Sequence, residues 1–189
     1  MRSYDAVVFD FDGTLFNTLE VSLGGFNIIR DFFGAAPLNI EDAKKLVGPP
    51  FHEILLKMYP MIKDSEASVL HKTVRNYYLK QGCALSQPYK GIRELLDQLS
   101  KRKIKLGIAS MKDTVLINQT LHLNNLSTYF TSVCGCEDGI HEKSALLRSC
   151  LSCLDAENGV MVGDSHSDWE AARKTGCDFI AAGFGYGLT

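Results

Sequence analysis

Two carboxylates follow a short apolar run near the start of the chain. The run and the acids read V-V-F-D-F-D-G-T-L over residues 7–15, with Asp10 and Asp12 two positions apart. Two acids this close repel each other, and a divalent cation relieves the repulsion while one oxygen stays available for nucleophilic attack. The alternative is that Asp10 caps a turn and Asp12 is solvated, which explains most isolated D-x-D pairs. The cation hypothesis therefore needs partners elsewhere in the chain.

A hydroxyl group stands at the end of a second apolar run. Residues 104–109 predict a buried strand that leads into Ser110. The Ser110 hydroxyl and the backbone amides after it can hold a phosphate oxygen, whereas the alternative is that Ser110 caps a helix that begins near Lys112. Taken alone, Ser110 favours the capping interpretation. Lys112 is a further candidate cation, although a lysine on a helix is more often solvated.

A lysine stands at the predicted start of a later helix. The charge of Lys143 is unfavourable there, because a helix N-terminus prefers negative charge. An anion nearby would remove the anomaly, and a solvent-facing lysine without a role is the alternative. The position therefore indicates an anion site only if other groups support it.

Two further acids follow a third apolar run. Residues 159–162 predict a buried strand, and G-D-S-H-S-D after it contains Asp164 and Asp168. Asp168 or Ser167 capping the next helix is the alternative, and His166 is expected to be a surface residue. Because the carboxyl ends of parallel strands form one crevice, we expect the polar groups at the three strand ends to converge.

The intervening segments predict an α/β fold with an inserted helical region. From residue 91 strands and helices alternate, which favours a doubly wound, mainly parallel sheet. Before it, helices are predicted over residues 17–34, 40–47, 51–59 and 64–80, without a strand signal. An insert of about 65 residues is far longer than a usual βα connection. We expect a core domain at 1–15 and 88–189 and a helical cap domain at 16–87.

Composition limits the classes of function. The 189 residues are 46% hydrophobic and 22% charged, with a net charge of −2 and no long basic block, so no nucleic-acid partner is expected. No apolar run approaches the roughly 18 residues of a membrane span, and no charged leader precedes the first strand. We therefore expect a cytoplasmic protein without a membrane partner, and no oligomeric state is predicted.

Six cysteines raise the alternative of a zinc site. Cys134 and Cys136 form C-x-C, and Cys150 and Cys153 form C-x-x-C. The second pair falls in an apolar-periodic helix, where cysteine acts as a small hydrophobe. We therefore favour reduced, structural thiols over zinc or disulfides.

The motifs together resemble the haloacid dehalogenase (HAD) superfamily. D-F-D-G-T-L, the strand ending in Ser110, Lys143 at a helix start and G-D-S-H-S-D are similar, in that order, to its four motifs, and the resemblance covers the whole chain. The insert resembles the small cap of the phosphoglycolate phosphatase-like group, and V-G-P-P-F and E-D-G-I-H-E-K are similar to segments of phosphoglycolate phosphatases or 5′-nucleotidases. The resemblance implies a Rossmann-like core and a Mg²⁺-dependent phosphatase of small phosphate esters.

The resemblance also implies a role for each motif residue. Asp10 would be the nucleophile that forms an aspartyl-phosphate, and Asp12 would act as general acid and then as general base. Ser110 and Lys143 would neutralise the phosphoryl oxygens, and the cap would close over the substrate.

The metal ligands are implied in the same way. Mg²⁺ would bind the Asp10 carboxylate, the Asp12 backbone carbonyl and Asp164, with Asp168 acting through water or by orienting the other ligands. Two positions depart from the group, since Met111 replaces a frequent asparagine and Asn17 a common aspartate. We expect substrate contacts near both to differ.

Two alternatives stay open at this point. A sugar phosphomutase similar to β-phosphoglucomutase also needs Asp12, which the dehalogenase branch lacks. A non-catalytic phospholigand-binding protein of the same fold is disfavoured, because none of the expected catalytic positions is replaced.

Overall fold

The fold is built on a five-stranded parallel sheet. A computed structural model describes residues 3–136 and 142–187. The strands are β1 (Ala6–Phe9), β2 (Phe16–Asn17), β3 (Gln87–Pro88), β4 (Lys105–Asp113), β5 (Ser132–Cys136), β6 (Gly159–Gly163) and β7 (Asp178–Ala181). The larger sheet has the order β5-β4-β1-β6-β7, and each neighbouring pair is parallel. From β1 the chain first adds β4 and β5 on one side and then β6 and β7 on the other. This change of direction creates a crevice at the carboxyl end of β1.

The segment between β1 and β4 supplies a helical insert. Its helices are α1 (Leu19–Phe32), α2 (Ile40–Lys44), α3 (Phe51–Met58), α4 (Asp64–Tyr77), a π-helical turn (Tyr78–Gly82) and α5 (Cys83–Leu85). These helices enclose their own hydrophobic cluster, which includes Phe26, Ile29, Leu55, Leu70 and Val74. The insert therefore packs around an apolar centre separate from those of the sheet, as expected of a cap.

Two short strands tie the insert to the sheet. Phe16 pairs with Pro88 and Asn17 with Gln87 in an antiparallel β2–β3 ribbon, where the chain leaves the core and returns to it. The expectation that residues 16–87 contain no strand is therefore wrong at both ends. Two-residue strands show no alternation that a sequence pattern could detect, and their pairing joins residues about 70 positions apart.

Helices cover both faces of the larger sheet. They are α6 (Ile92–Lys101), α7 (Thr114–Leu123), α8 (Lys143–Cys153) and α9 (His166–Thr175). Because side chains alternate along a strand, Val7 and Phe9 pack in the cluster with α6 and α7, whereas Ala6 and Val8 pack with α8 and α9. The predicted doubly wound α/β fold with a helical cap is confirmed. Within the described ranges, no helix has the length and apolar character needed to cross a bilayer.

Candidate active site

All six predicted site residues meet in the crevice at the carboxyl end of β1. Asp10 follows β1 directly, and Ser110 lies in β4, the neighbouring strand. Asp164 follows β6 on the other side of β1, and Lys143 and Asp168 reach the same place from the first turns of α8 and α9. Asp12 lies in the turn after β1 and lines a cavity together with Asp10 and Ser110. Five of the six are buried, and Asp12 is mostly so.

Three carboxylates form the centre of this site. Asp10, Asp164 and Asp168 each offer an oxygen within 4.8 Å of the others, and all three side chains are buried. Burial and the neighbouring Asp168 carboxylate raise the pKa of Asp10 to about 7, although Lys143 opposes the shift. Burial also raises the pKa of Asp164. Three carboxylates therefore face one lysine, which cannot neutralise all of their negative charge. Carboxylate oxygens are the ligands that a hard divalent cation prefers.

Lys143 is the cation of this cluster. Its Nζ lies 2.8 Å from Asp10 Oδ1 and also contacts Asp168 Oδ1, with 7% of the side chain exposed. Burial opposes its charge, but the two carboxylates hold the pKa of Lys143 above the ordinary lysine value. The solvent-facing alternative is thus wrong, because the unfavourable position at a helix start is offset by two buried anions.

Asp168 is oriented by the start of its own helix. Ser165 is the N-cap of α9 and accepts a hydrogen bond from the Asp168 amide, while Asp168 Oδ2 accepts from the Ser165 amide at 2.9 Å and from its hydroxyl at 2.6 Å. The other carboxylate oxygen faces Lys143. Ser165, not Ser167, is therefore the cap residue, and capping and site roles coexist in Asp168. His166 is exposed, as expected.

Asp164 is held from two distant parts of the chain. The Thr14 hydroxyl donates to Asp164 Oδ1 at 3.2 Å, and the amides of Tyr186 and Gly187 donate to Oδ2 at 2.6 and 3.2 Å. Gly13 has φ +83°, and a Cβ there would overlap the Asp164 carboxylate. Sequence reasoning identified neither Thr14 nor Tyr186. Thr14 stands within the D-G-T-L motif and could have been found, whereas nothing in the sequence links Tyr186 to Asp164.

Asp12 pairs with the lysine that follows the second motif. Lys112 Nζ lies 3.0 Å from Asp12 Oδ1 and 3.2 Å from Oδ2, and its side chain is 7% exposed. The ammonium also lies 4.8 Å from the centre of the Tyr78 ring, in the π-helical turn of the insert. Lys112 is therefore not a solvated helix residue, and Asp12 is not simply solvated.

Ser110 does not cap a helix. The strand β4 continues past it with an irregular register, and α7 begins only at Thr114. Asp113 is the cap, since its Oδ1 accepts from the amides of Val115 and Leu116. The Ser110 side chain is buried beside Asp10 at the cavity wall. The capping interpretation favoured by the sequence is wrong, because the strand is longer than its apolar run.

The cavity over these residues lies between the core and the helical insert. The insert contributes a mainly apolar wall formed by Phe26, Val47, Pro49, Phe51, Ile54 and Val74. Arg75 also lines it, and its Nε lies 2.9 Å from Asp113 Oδ2, which joins α4 to the start of α7. Both the core and the insert therefore line the cavity above Asp10.

All six cysteines lie in the described part of the chain and are thiols rather than disulfides. Cys150 is buried in the hydrophobic layer between α8 and the sheet, as expected of a small apolar side chain, and Cys153 is exposed. Among the residues that the structure describes, the cluster of potential metal ligands is Asp10, Asp164 and Asp168. Most of the predicted E-D-G-I-H-E-K segment, residues 137–141, lies outside the described part of the chain.

Comparisons with known proteins agree with this geometry. The chain is 28% identical over 188 residues to a phosphoglycolate phosphatase of Agrobacterium fabrum, covering 95% of this chain and 80% of the relative. It is 29% identical over 176 residues to the pyrophosphatase PpaX of Bacillus cereus, covering 91% and 80%. A solved structure of a predicted phosphatase from Clostridium acetobutylicum is similar with a TM-score of 0.89 and 26% identity, covering 97% of this chain and 87% of that one.

These matches establish the family. The sequence profile of the haloacid dehalogenase-like hydrolases matches residues 7–182, and the chain belongs to this family. The predicted family is thereby confirmed, and so is the predicted enzyme class, a phosphoric monoester hydrolase.

Proposed function

We propose that this protein is a Mg²⁺-dependent phosphatase that hydrolyses a small phosphomonoester through an aspartyl-phosphate on Asp10. One observation carries the proposal. Asp10 is buried at the end of β1 with Lys143 on one oxygen and the carboxylates of Asp164 and Asp168 beside it. The proposed nucleophile, Asp10, is thus next to a cation that could bind phosphoryl oxygens, Lys143, and to two further potential metal ligands, Asp164 and Asp168.

The carboxylate cluster suits a magnesium ion. Asp10 and Asp164 would supply carboxylate oxygens and Asp12 its backbone carbonyl, while Asp168, which already accepts from Ser165 and contacts Lys143, would act through water or by orientation. When bound, Mg²⁺ would neutralise charge on the transferring phosphoryl group. A cation would also favour the ionised form of Asp10, whose pKa is raised to about 7 by burial and by Asp168.

Two carboxylates divide the proton and phosphoryl chemistry. Asp10 would attack phosphorus, so that the P–O bond to the leaving group breaks as the aspartyl-phosphate forms. Asp12 would give a proton to the leaving oxygen and later take one from the attacking water. Asp12 stands at the cavity wall, closer to solvent than Asp10, as a proton carrier requires.

Two further groups would hold the phosphate. Lys143, which contacts Asp10, and the Ser110 hydroxyl, in the wall of the same cavity, would contact the phosphoryl oxygens as their charge redistributes. Residues 16–87 would form the cap domain over a core of 1–15 and 88–189, and closure would exclude water. The hydrophobic cluster within the insert supports this division.

The substrate class is proposed from the relatives. A phosphoglycolate-like monoester is the first candidate, and the similarity to a pyrophosphatase adds pyrophosphate to those worth testing. Nucleotides are added because V-G-P-P-F and E-D-G-I-H-E-K resemble segments of 5′-nucleotidases. The cavity wall from the insert is mainly apolar and includes Arg75, which could pair with an anionic group of the substrate. A cytoplasmic location and the absence of nucleic-acid and membrane partners stay predictions.

The test compares wild type with Asp10→Asn, using p-nitrophenyl phosphate with Mg²⁺ and with EDTA. We expect phosphate release that requires Mg²⁺ and falls by at least about 10³-fold in the variant, because the nucleophile is lost. Phosphoglycolate, nucleotides, sugar phosphates and pyrophosphate then define the substrate. Absence of release by folded wild-type protein would favour the phosphomutase or phospholigand-binding alternative.

A further inference from the structure

Tyr186 touches two functional parts of the molecule at once. Its backbone amide donates to Asp164 Oδ2 at 2.6 Å, and the next amide, of Gly187, donates to the same oxygen at 3.2 Å. Its phenolic group reaches in the other direction, to the point where the chain enters the insert. Asp164 belongs to the carboxylate cluster, so one residue joins that cluster to the base of the cap.

The phenolic oxygen satisfies the first turn of α1. It accepts hydrogen bonds from the amides of Thr18, at 2.8 Å, and Leu19, at 3.1 Å. Thr18 is the N-cap of α1, and no side-chain cap hydrogen bond is formed by it. A helix start normally takes such an acceptor from a neighbouring residue. Here Asn17 Oδ1 accepts from the Leu19 amide at 3.4 Å, but the shorter hydrogen bonds go to Tyr186, more than 160 positions away. The hydroxyl therefore holds the first helix of the insert to the end of the described chain.

The same segment contacts both connections of the insert. The Tyr186 hydroxyl donates to Asn17 Oδ1 at 2.8 Å, on β2, the outgoing strand. The Phe184 ring packs edge-on against Tyr89, with 4.8 Å between centroids, directly after β3, the returning strand. The segment that contains Phe184 and Tyr186 therefore lies against the place where the insert joins the core.

The backbone next to Tyr186 packs tightly against the Asp164 side chain. A Cβ at Gly185 would overlap the Asp164 side chain, so the segment approaches as near as a backbone can. A shift of Asp164 Oδ2 would disturb the hydrogen bonds from the Tyr186 and Gly187 amides, and Tyr186 is also the residue whose phenol holds the start of α1.

We propose that Tyr186 is a positioning residue that couples metal binding at Asp164 to the orientation of the helical cap. The inference rests on the proposed function, because it takes the carboxylate cluster as the Mg²⁺ site. Coupling of this kind is reciprocal: Mg²⁺ that fixes Asp164 also fixes the start of α1, and cap closure in turn favours Mg²⁺ binding.

The test measures amide hydrogen exchange and Mg²⁺ binding on the whole protein without substrate. In wild type we expect Mg²⁺ to slow exchange in peptides that contain the amides of Thr18 and Leu19. In Tyr186→Phe, which keeps the backbone amide on Asp164, we expect these peptides to exchange about fivefold faster or more. Their response to Mg²⁺ should disappear, and because the coupling is reciprocal, calorimetry should find Mg²⁺ binding weaker by about the factor by which Mg²⁺ slows exchange at these amides in wild type.

Two further variants separate the two ends of the link. Gly185→Ala should push the segment away from Asp164 and weaken Mg²⁺ binding by about 10-fold or more. Tyr129→Phe, which removes a hydroxyl that donates to Asp97 on α6, outside the insert, should change neither measurement.

Two outcomes would overturn the coupling. One is bound Mg²⁺ that leaves exchange at Thr18 and Leu19 unchanged in wild type, and the other is a Tyr186→Phe protein that responds as wild type does. Failure of the proposed function is distinguishable, because it appears as wild-type protein that neither binds Mg²⁺ nor releases phosphate.

Discussion

The two walls of the cavity differ in how they hold charge. On the core wall, Lys143 touches Asp10 and Asp168, and all three side chains are almost completely removed from water. On the side facing the insert, Arg75 and Asp113 form a pair whose side chains are 34% and 30% exposed, among mainly apolar neighbours. We call the first surface, which contains Asp10, Lys143 and Asp168, the core wall, and the apolar surface from the insert together with the Arg75–Asp113 pair the cap wall. The core wall holds its charges in a fixed arrangement with little access to water. The cap wall has an apolar surface and one ion pair that solvent screens.

The difference indicates a division of labour. Burying three ionisable groups costs free energy that their mutual contacts only partly return, so a cluster of this kind is better explained by chemistry than by stability. The cap wall, which is apolar and has a half-exposed ion pair, carries no comparable free-energy cost of burying charge. Its residues can therefore differ between enzymes that act on different substrates. We infer that the core wall determines the reaction and the cap wall the choice of leaving group.

The largest expected effect is loss of the core cation. Lys143→Met keeps the length of the side chain but removes the charge that contacts Asp10 and Asp168. We expect kcat/KM for p-nitrophenyl phosphate to fall by about 10²–10³-fold, because phosphoryl charge is no longer neutralised. Steady-state kinetics at saturating Mg²⁺ provide the measurement.

A matched control distinguishes this role from general electrostatics. Lys174→Met removes a lysine that also forms an ion pair, with Glu142 at 2.7 Å, but at the surface. Its activity should stay within about twofold of wild type, as for other exposed pairs. If Lys143→Met stayed equally close to wild type, the contrast between the two walls would be lost.

An intermediate effect should appear in the pH dependence of stability without metal. The pKa of Asp10 is raised by burial and Asp168 from 3.8 to about 7, so the folded protein binds this proton more tightly than the unfolded chain. Stability contributed by protonated Asp10 is present at low pH and is lost as pH rises through about 7. In EDTA, Tm of Asp10→Asn minus that of wild type should therefore increase between about pH 5 and 8, by about 5 °C or more.

The same experiment with added Mg²⁺ should favour wild type over Asp10→Asn. A cation that binds the ionised cluster stabilises wild type by mass action and should do so much less in Asp10→Asn. Thermal unfolding at pH 8 with and without Mg²⁺ measures the difference. A difference in Tm that does not vary with pH would show that Asp10 is not the group that makes the core wall sensitive to protons.

The sequence predicts the core wall better than the cap wall. Asp10, Asp164 and Ser110 each follow an apolar run, and parallel strands bring such ends together, so their convergence could be foreseen. The pairing of Lys112 with Asp12 could not, because it depends on β4 continuing past its apolar stretch. Tyr186 was missed for a similar reason, since its contacts with Asp164 and α1 are tertiary and no local pattern records them.

The sequence pattern did not predict the residues of the cap wall either. Arg75 is one of several charged residues on a helix, and most such residues are simply solvated. Its partner, Asp113, is the N-cap of α7 and lies 38 positions further along the chain. Helical periodicity predicts which side of α4 is buried but not what lies opposite.

The smallest expected effect therefore tests the cap wall itself. Arg75→Gln should raise KM for the substrate by about 3–10-fold and leave kcat within about twofold, because in the proposed division Arg75 would contact the leaving group and not the phosphoryl group. The stability change should stay within about 1 kcal/mol, since the pair with Asp113 is partly solvated. Arg93→Gln, which removes an exposed guanidinium that donates to the Asn124 and Asn125 carbonyls, is the matched control. A fall in kcat as large as that of Lys143→Met would mean that the cap wall takes part in phosphoryl transfer, and the division between the walls would have to be abandoned.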